Sequence, residues 1–142
     1  VTRKKAKAYI DELEDHDVLI TGDTVVLCDG QVLGKPKSAE EAKAMLQQLT
    51  GKTHTVASGI AVTTKASGIN SAVDTCQVTF AALDDALMDH YIEQYQPFDK
   101  AGAYGVQDLI GFAGVVSLNG SYFTVMGLPT HLLFHLLNNL KS

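Results

Sequence analysis

Two β-branched runs, HTVASGIAVTT at 54–64 and SAVDTCQVTFAAL at 71–83, are separated only by KASGIN. Both alternate apolar and polar positions, the period of a half-buried strand. Strands joined by so short a connection form a hairpin, so part of the sheet must be antiparallel. A second hairpin signal is Asp29-Gly30, which sits between two apolar runs in DVLITGDTVVLCDGQVLGKP. Asp-Gly supplies the positive φ angles of a two-residue turn, and strands are expected near 18–28 and 31–33. A third hairpin is expected in GFAGVVSLNGSYFTVMG, turning at Asn119-Gly120.

Helical spacing lies between these runs. VTRKKAKAYIDEL at the start puts Ala6, Tyr9, Ile10 and Leu13 on one side. Ser38 with Glu41 forms a capping-box pattern ahead of Ala42, Met45, Leu46 and Leu49, and Gly51 suits the position past the helix end. Asp84 can cap a helix whose face is Leu87, Met88, Tyr91, Ile92 and Tyr95, ended by Pro97. Pro129 opens a last helix, THLLFHLLNNL. Interleaved helices and strands predict an α/β fold. The hairpins predict a mixed sheet rather than a purely parallel one. The 142 residues suit one domain, 1–142, with no repeat, linker or low-complexity stretch.

Charge narrows the function. The net charge of −5 argues against a general binder of nucleic acid polymers. Arg3 is the only arginine, so a strongly anionic ligand must meet lysines, backbone N–H groups or a metal. No apolar run approaches a membrane span and no signal-peptide pattern is present, so a cytoplasmic protein is expected, with Cys28 and Cys76 as reduced thiols. The chain starts at Val1, directly in a helical pattern with no strand before it; an N-terminal piece is expected to be missing.

Several stretches carry chemistry. TGKT at 50–53 resembles half of a phosphate loop, but Leu46 stands where the first Gly is required and a helix precedes it. His131 and His135 have zinc-compatible spacing, but Leu132 replaces the needed Glu and leucines flank both, which favours a packed helix. Asp23 lies inside the apolar run VLITGDTVVL. It is either a strand-end carboxylate bonded to nearby backbone, or a metal ligand or general base held on a rigid strand. Lys35, between Gly34 and Pro36 before a capped helix, is an ordinary loop lysine or an anion contact. FDKAGAYGVQD at 98–108 is the densest stretch. Asp99 and Lys100, adjacent in an extended segment, would point opposite ways. Gly102 and Gly105 allow close ligand approach, and Gln107 offers donors and an acceptor suited to a nucleobase edge or a backbone amide; the alternative is a glycine-rich surface turn, which does not need Tyr104 and Val106 between its polar groups.

Taken in order, GDTVV, GQVLGKP, AEEAKAMLQQLTGKTHTVASGIAV, YIEQYQPFDKAGAYGVQ and NGSYFTVMGLP resemble the Maf family of nucleoside-triphosphate pyrophosphatases over nearly the whole chain. The resemblance implies a fold like that of the inosine-triphosphate pyrophosphatases: a twisted mixed sheet flanked by helices, with a cleft on one face. It implies hydrolysis of a nucleoside triphosphate to the monophosphate and pyrophosphate, with a divalent cation, Mg2+ or Mn2+. It places the proton acceptor and metal ligand at Asp23, substrate choice at Thr24 and Gln107, and a phosphate-site lysine at Lys5; Lys35, Asp99 and Lys100 match further positions around the cleft. The intact DKAGAYGVQ string resembles the branch acting on dTTP, UTP and related pyrimidine triphosphates. Homodimers are common in the family. A nucleotide sensor without catalysis and a cell-division regulator are the alternatives. The family's opening Ser-x-Ser-Pro-Arg-Arg loop has no counterpart here, and Gln96 stands where many members carry Glu; if that Glu helps bind metal, its role here is weakened or moved to Asp99.

Overall fold

The structure, a computed structural model, describes residues 1–140. Helix α1 (Thr2–Tyr9) and a short 3-10 turn lead into a long strand β1 (Leu19–Cys28). β1 turns at Asp29 and Gly30, with φ of 51° and 77°, into β2 (Gln31–Leu33). Two consecutive positive φ angles are what an Asp-Gly hairpin turn needs. Helix α2 (Ala39–Leu49) follows, its first turn capped by Ser38, whose hydroxyl accepts from the Glu41 amide. The paired β-branched runs form β3 (Thr53–Thr64) and β4 (Gly68–Phe80), in register from Thr53 opposite Thr79 to Thr64 opposite Gly68. Helix α3 (Asp85–Tyr95) is capped by Asp84, whose carboxylate accepts from the Leu87 amide.

The C-terminal part departs from the expected hairpin. GFAG belongs to a short helix, α4 (Leu109–Gly114), followed by β5 (Val115–Asn119), α5 (Tyr122–Met126) and α6 (Thr130–Asn138). The chain does not fold back at Asn119-Gly120. Gly120 packs with φ 135° against Cys76, where a Cβ would come within 3.0 Å, and the Ser121 hydroxyl then accepts from the Phe123 amide to start α5. A helix cap thus replaces the second strand.

The sheet order is β2-β1-β3-β4-β5. Helices flank it as expected, but each described pairing is antiparallel, so no parallel pair of the anticipated mixed sheet occurs among the described residues. The reason is strand order. β2 and β3, linked through α2, run the same way, yet β1 lies between them. The main core joins Val26, Val56, Val78 and Phe80 of the sheet to Leu46 and Leu49 of α2 and to Met88, Tyr91 and Ile92 of α3. Burying a large apolar side chain contributes about 1.5–3 kcal/mol, so this layer holds the helices to the sheet. Cys28 and Cys76 are free and buried.

Candidate functional site

β2 covers β1 only from Val26 to Cys28, so among the described residues the upstream half of β1 has no strand along its outer edge. A cavity of about 380 Å³ opens there. Gly22, Asp23, Thr24 and Val26 come from β1, Lys5 from α1, Lys35 from the loop after β2, and Met126 and Gly127 from the end of α5. The opposite wall is the segment carrying Asp99, Lys100, Tyr104, Gly105 and Gln107. All seven residues nominated from the sequence, Lys5, Asp23, Thr24, Lys35, Asp99, Lys100 and Gln107, therefore line one space.

Asp23 is not an isolated buried carboxylate. Its side chain is 27% exposed, and Lys5 Nζ stands 3.6 Å from Oδ1 while donating to the Gly22 carbonyl at 3.0 Å. Lys5 thus ties α1 to the β1 edge and places positive charge beside Asp23. Thr24, directly opposite Ser58 in the register, has its hydroxyl 2.8 Å from the Ser58 hydroxyl.

The glycine-rich segment is held at four points. The Gly102 amide donates to the Gly34 carbonyl at 3.1 Å, which joins this wall to the Lys35 loop. Gly102, with φ 70°, lies on Val26, where a Cβ would come within 3.0 Å. The Gly105 amide donates to the Tyr91 hydroxyl at 3.2 Å, and that hydroxyl donates to Asp108 Oδ2 at 2.7 Å. Burial, reinforced by the Asp108 carboxylate, pushes the Tyr91 hydroxyl well above the usual tyrosine range, so it stays protonated as a donor. Tyr104 meets His54 at 2.6 Å, and both rings pack edge-on with Phe80. Burial pushes His54 down to about 4, so it is neutral at pH 7.

One detail differs from the sequence expectation. Lys100 Nζ lies 3.5 Å from Asp99 Oδ1. Phe98 and Asp99 form a turn closed by the Lys100 amide donating to the Pro97 carbonyl, so the neighbouring side chains meet although Lys100 itself is extended, with φ −118° and ψ 130°. The Lys100 stem runs over Gly105, where a Cβ would sit 2.9 Å from Cε. Gln107 is exposed and its side chain has no hydrogen-bond partner among the described residues. Gln96 does not line the cavity; it caps α3 with φ 46° and borders a separate groove between α2 and α3.

Gly51 has φ 67° just past α2, as a helix terminator does, which accounts for TGKT. His131 lies 3.4 Å from Asp74, while His135 bonds Asn139, so the two histidines do not converge. No group of three or more His, Cys, Asp or Glu side chains able to hold a metal ion occurs among the described residues, and none of their helices is long and apolar enough to cross a membrane. Sequence reasoning missed Tyr91 and Asp108 as supports of the wall and Ser58 as the partner of Thr24. Ser58 had a readable signal: it is the small polar residue on the inward side of HTVASGIAV, between Val56 and Ile60.

A family model described as Maf-like protein matches residues 1–140. The chain is 45% identical to a dTTP/UTP pyrophosphatase of Porphyromonas gingivalis, over all of this chain and 70% of the relative. It is 47% identical to one of Phocaeicola vulgatus, over 92% of this chain and 67% of the relative, and 46% identical to one of Bacteroides fragilis, over 99% and 72%.

Proposed function

From the premise that this chain belongs to the Maf-like protein family, we propose that it hydrolyses pyrimidine nucleoside triphosphates, dTTP and UTP among them, to the monophosphate and pyrophosphate. The observation that carries this reading is the convergence of Lys5, Asp23, Thr24, Lys35, Asp99, Lys100 and Gln107, from four separate stretches, on one cavity at the open edge of β1.

Hydrolysis between the α- and β-phosphates needs an activated water and neutralised phosphate charge. Asp23 takes the proton of the attacking water. The water oxygen bonds to the α-phosphorus, the bond from that phosphorus to the bridging oxygen breaks, and pyrophosphate leaves with that oxygen. Lys5, Lys35 and Lys100 act as point-charge phosphate partners. Thr24 and Gln107 face the base.

The donor set fits a divalent cation that arrives with its substrate. Mg2+ is usually held by one or two carboxylates plus substrate phosphates, and the cavity offers two, Asp23 and Asp99. Three lysines against two carboxylates also leave too little positive charge for a triphosphate. Mg2+ or Mn2+ held there would neutralise phosphate oxygens and acidify a water.

The test is pyrophosphate release measured across all canonical nucleoside triphosphates with Mg2+ or Mn2+. Release from dTTP and UTP above the purine triphosphates supports the reading. Tight nucleotide binding without any release would replace it with a nucleotide sensor.

A further inference from the structure

Ser58 is fully buried on β3, directly opposite Thr24. A serine hydroxyl has one proton to donate and two lone pairs to accept with. The Ser58 hydroxyl is 2.7 Å from the backbone carbonyl of Thr124, which can only accept, so its proton goes there. At its second contact Ser58 must therefore receive, and the donor across the 2.8 Å gap is Thr24. The far end of this chain is fixed as well: Thr124 is fully buried and its own hydroxyl donates to Asp74 Oδ2 at 2.6 Å. Direction thus runs from Thr24 to Ser58 to the Thr124 carbonyl.

The consequence reaches the cavity. With its only proton committed to Ser58, Thr24 presents lone pairs alone. Gly127 leaves that oxygen uncovered, since a side chain there would begin 3.4 Å from it. A phosphate oxygen is itself an acceptor and gains nothing from such a group, whereas an N–H does.

We infer that Ser58 is a specificity-determining positioning residue: it holds the Thr24 proton so that Thr24 accepts from the imide N3–H of a uracil or thymine ring. The inference rests on the reading above that the cavity takes pyrimidine nucleotides. Cytosine carries a bare acceptor at the same ring nitrogen and would meet lone pairs with lone pairs. Without the Ser58 hydroxyl, Thr24 turns freely and can donate to that nitrogen, so the distinction weakens.

The experiment compares kcat/KM for UTP and CTP in the unmodified protein, in Ser58→Ala, in Thr24→Val and in the double variant. Ser58→Ala is expected to lower the UTP:CTP ratio by about 5–10-fold, the worth of one hydrogen bond, and to have no further effect on the ratio once Thr24 is Val. A ratio unchanged by Ser58→Ala, with UTP still hydrolysed, overturns the inference and leaves the function standing. A wholly structural role would slow both substrates by the same factor and overturns it equally. Should Ser58→Ala fail to fold, the unmodified protein decides with N3-methyl-UTP, expected to react at least about tenfold less efficiently than UTP; equal turnover of the two overturns the inference. Failure of the unmodified protein to hydrolyse either UTP or CTP overturns the functional reading itself, and this inference with it.

Discussion

Gln107 and His54 show how differently two polar residues can be placed within one site. Gln107 is exposed on the cavity wall with no intramolecular partner among the described residues, so its amide is free to meet a base edge. Gln107→Ala is expected to cost pyrimidine triphosphates about 1–3 kcal/mol per unmade hydrogen bond in kcat/KM, more than it costs a purine triphosphate. Equal losses for dTTP, UTP, CTP and a purine triphosphate would show that Gln107 does not read the base. His54 is buried behind the wall, with Nδ1 unpaired and Nε2 against Tyr104. Its folded-state value of about 4 lies below the ordinary 6.5, so its contribution to stability is full above pH 6.5 and is lost as pH falls through about 4. The corresponding loss is about 3 kcal/mol at most. Melting midpoints of the unmodified protein and His54→Gln, measured from pH 7.5 to 4, are expected to converge toward acid, after the variant starts lower at neutral pH. Parallel curves would mean that His54 does not titrate in this window.

At the scale of elements, legibility followed locality. The Asp29-Gly30 turn, the Ser38 and Asp84 caps and the alternation of β3 and β4 are written in adjacent residues, and the structure has each of them. The region from α4 to α5 departs from the expected hairpin because its decisive contacts lie outside the alternation pattern, one of them far along the chain. Gly120 rests on Cys76, and Gly111 is so close to the Val106 carbonyl that a Cβ would fall 1.7 Å from its oxygen. Neither contact leaves a mark in the local pattern, whereas Asn-Gly imitates a hairpin turn. Gly111→Ala must therefore displace backbone, and it is expected to destabilise by about 3 kcal/mol or more. Gly51→Ala, where φ is 67° but no atom lies within 4 Å, is expected to cost only about 1 kcal/mol. Denaturant midpoints for the two variants check the order; equal midpoints would contradict the packing assigned to α4.

Over the whole molecule, the site is a product of topology. β2 is too short to cover β1, α1 brings Lys5 to the uncovered edge, and a bond from Gly102 to the Gly34 carbonyl closes the opposite wall. That Lys5, Asp23, Thr24, Lys35, Asp99, Lys100 and Gln107 share one cavity was legible because motif order exposed them. Their supports, Ser58, Tyr91 and Asp108, were not, because hydrogen bonds between residues 14 to 66 positions apart have no spacing rule. Asp23 is the proposed acceptor of the attacking water's proton. Its most direct test is kcat for dTTP in Asp23→Asn, with the melting midpoint measured alongside. The carboxamide cannot take the proton, so a loss of about 10²–10⁴-fold or more is expected with the fold intact. A folded variant that keeps more than about a tenth of the unmodified rate would show that another group is the base.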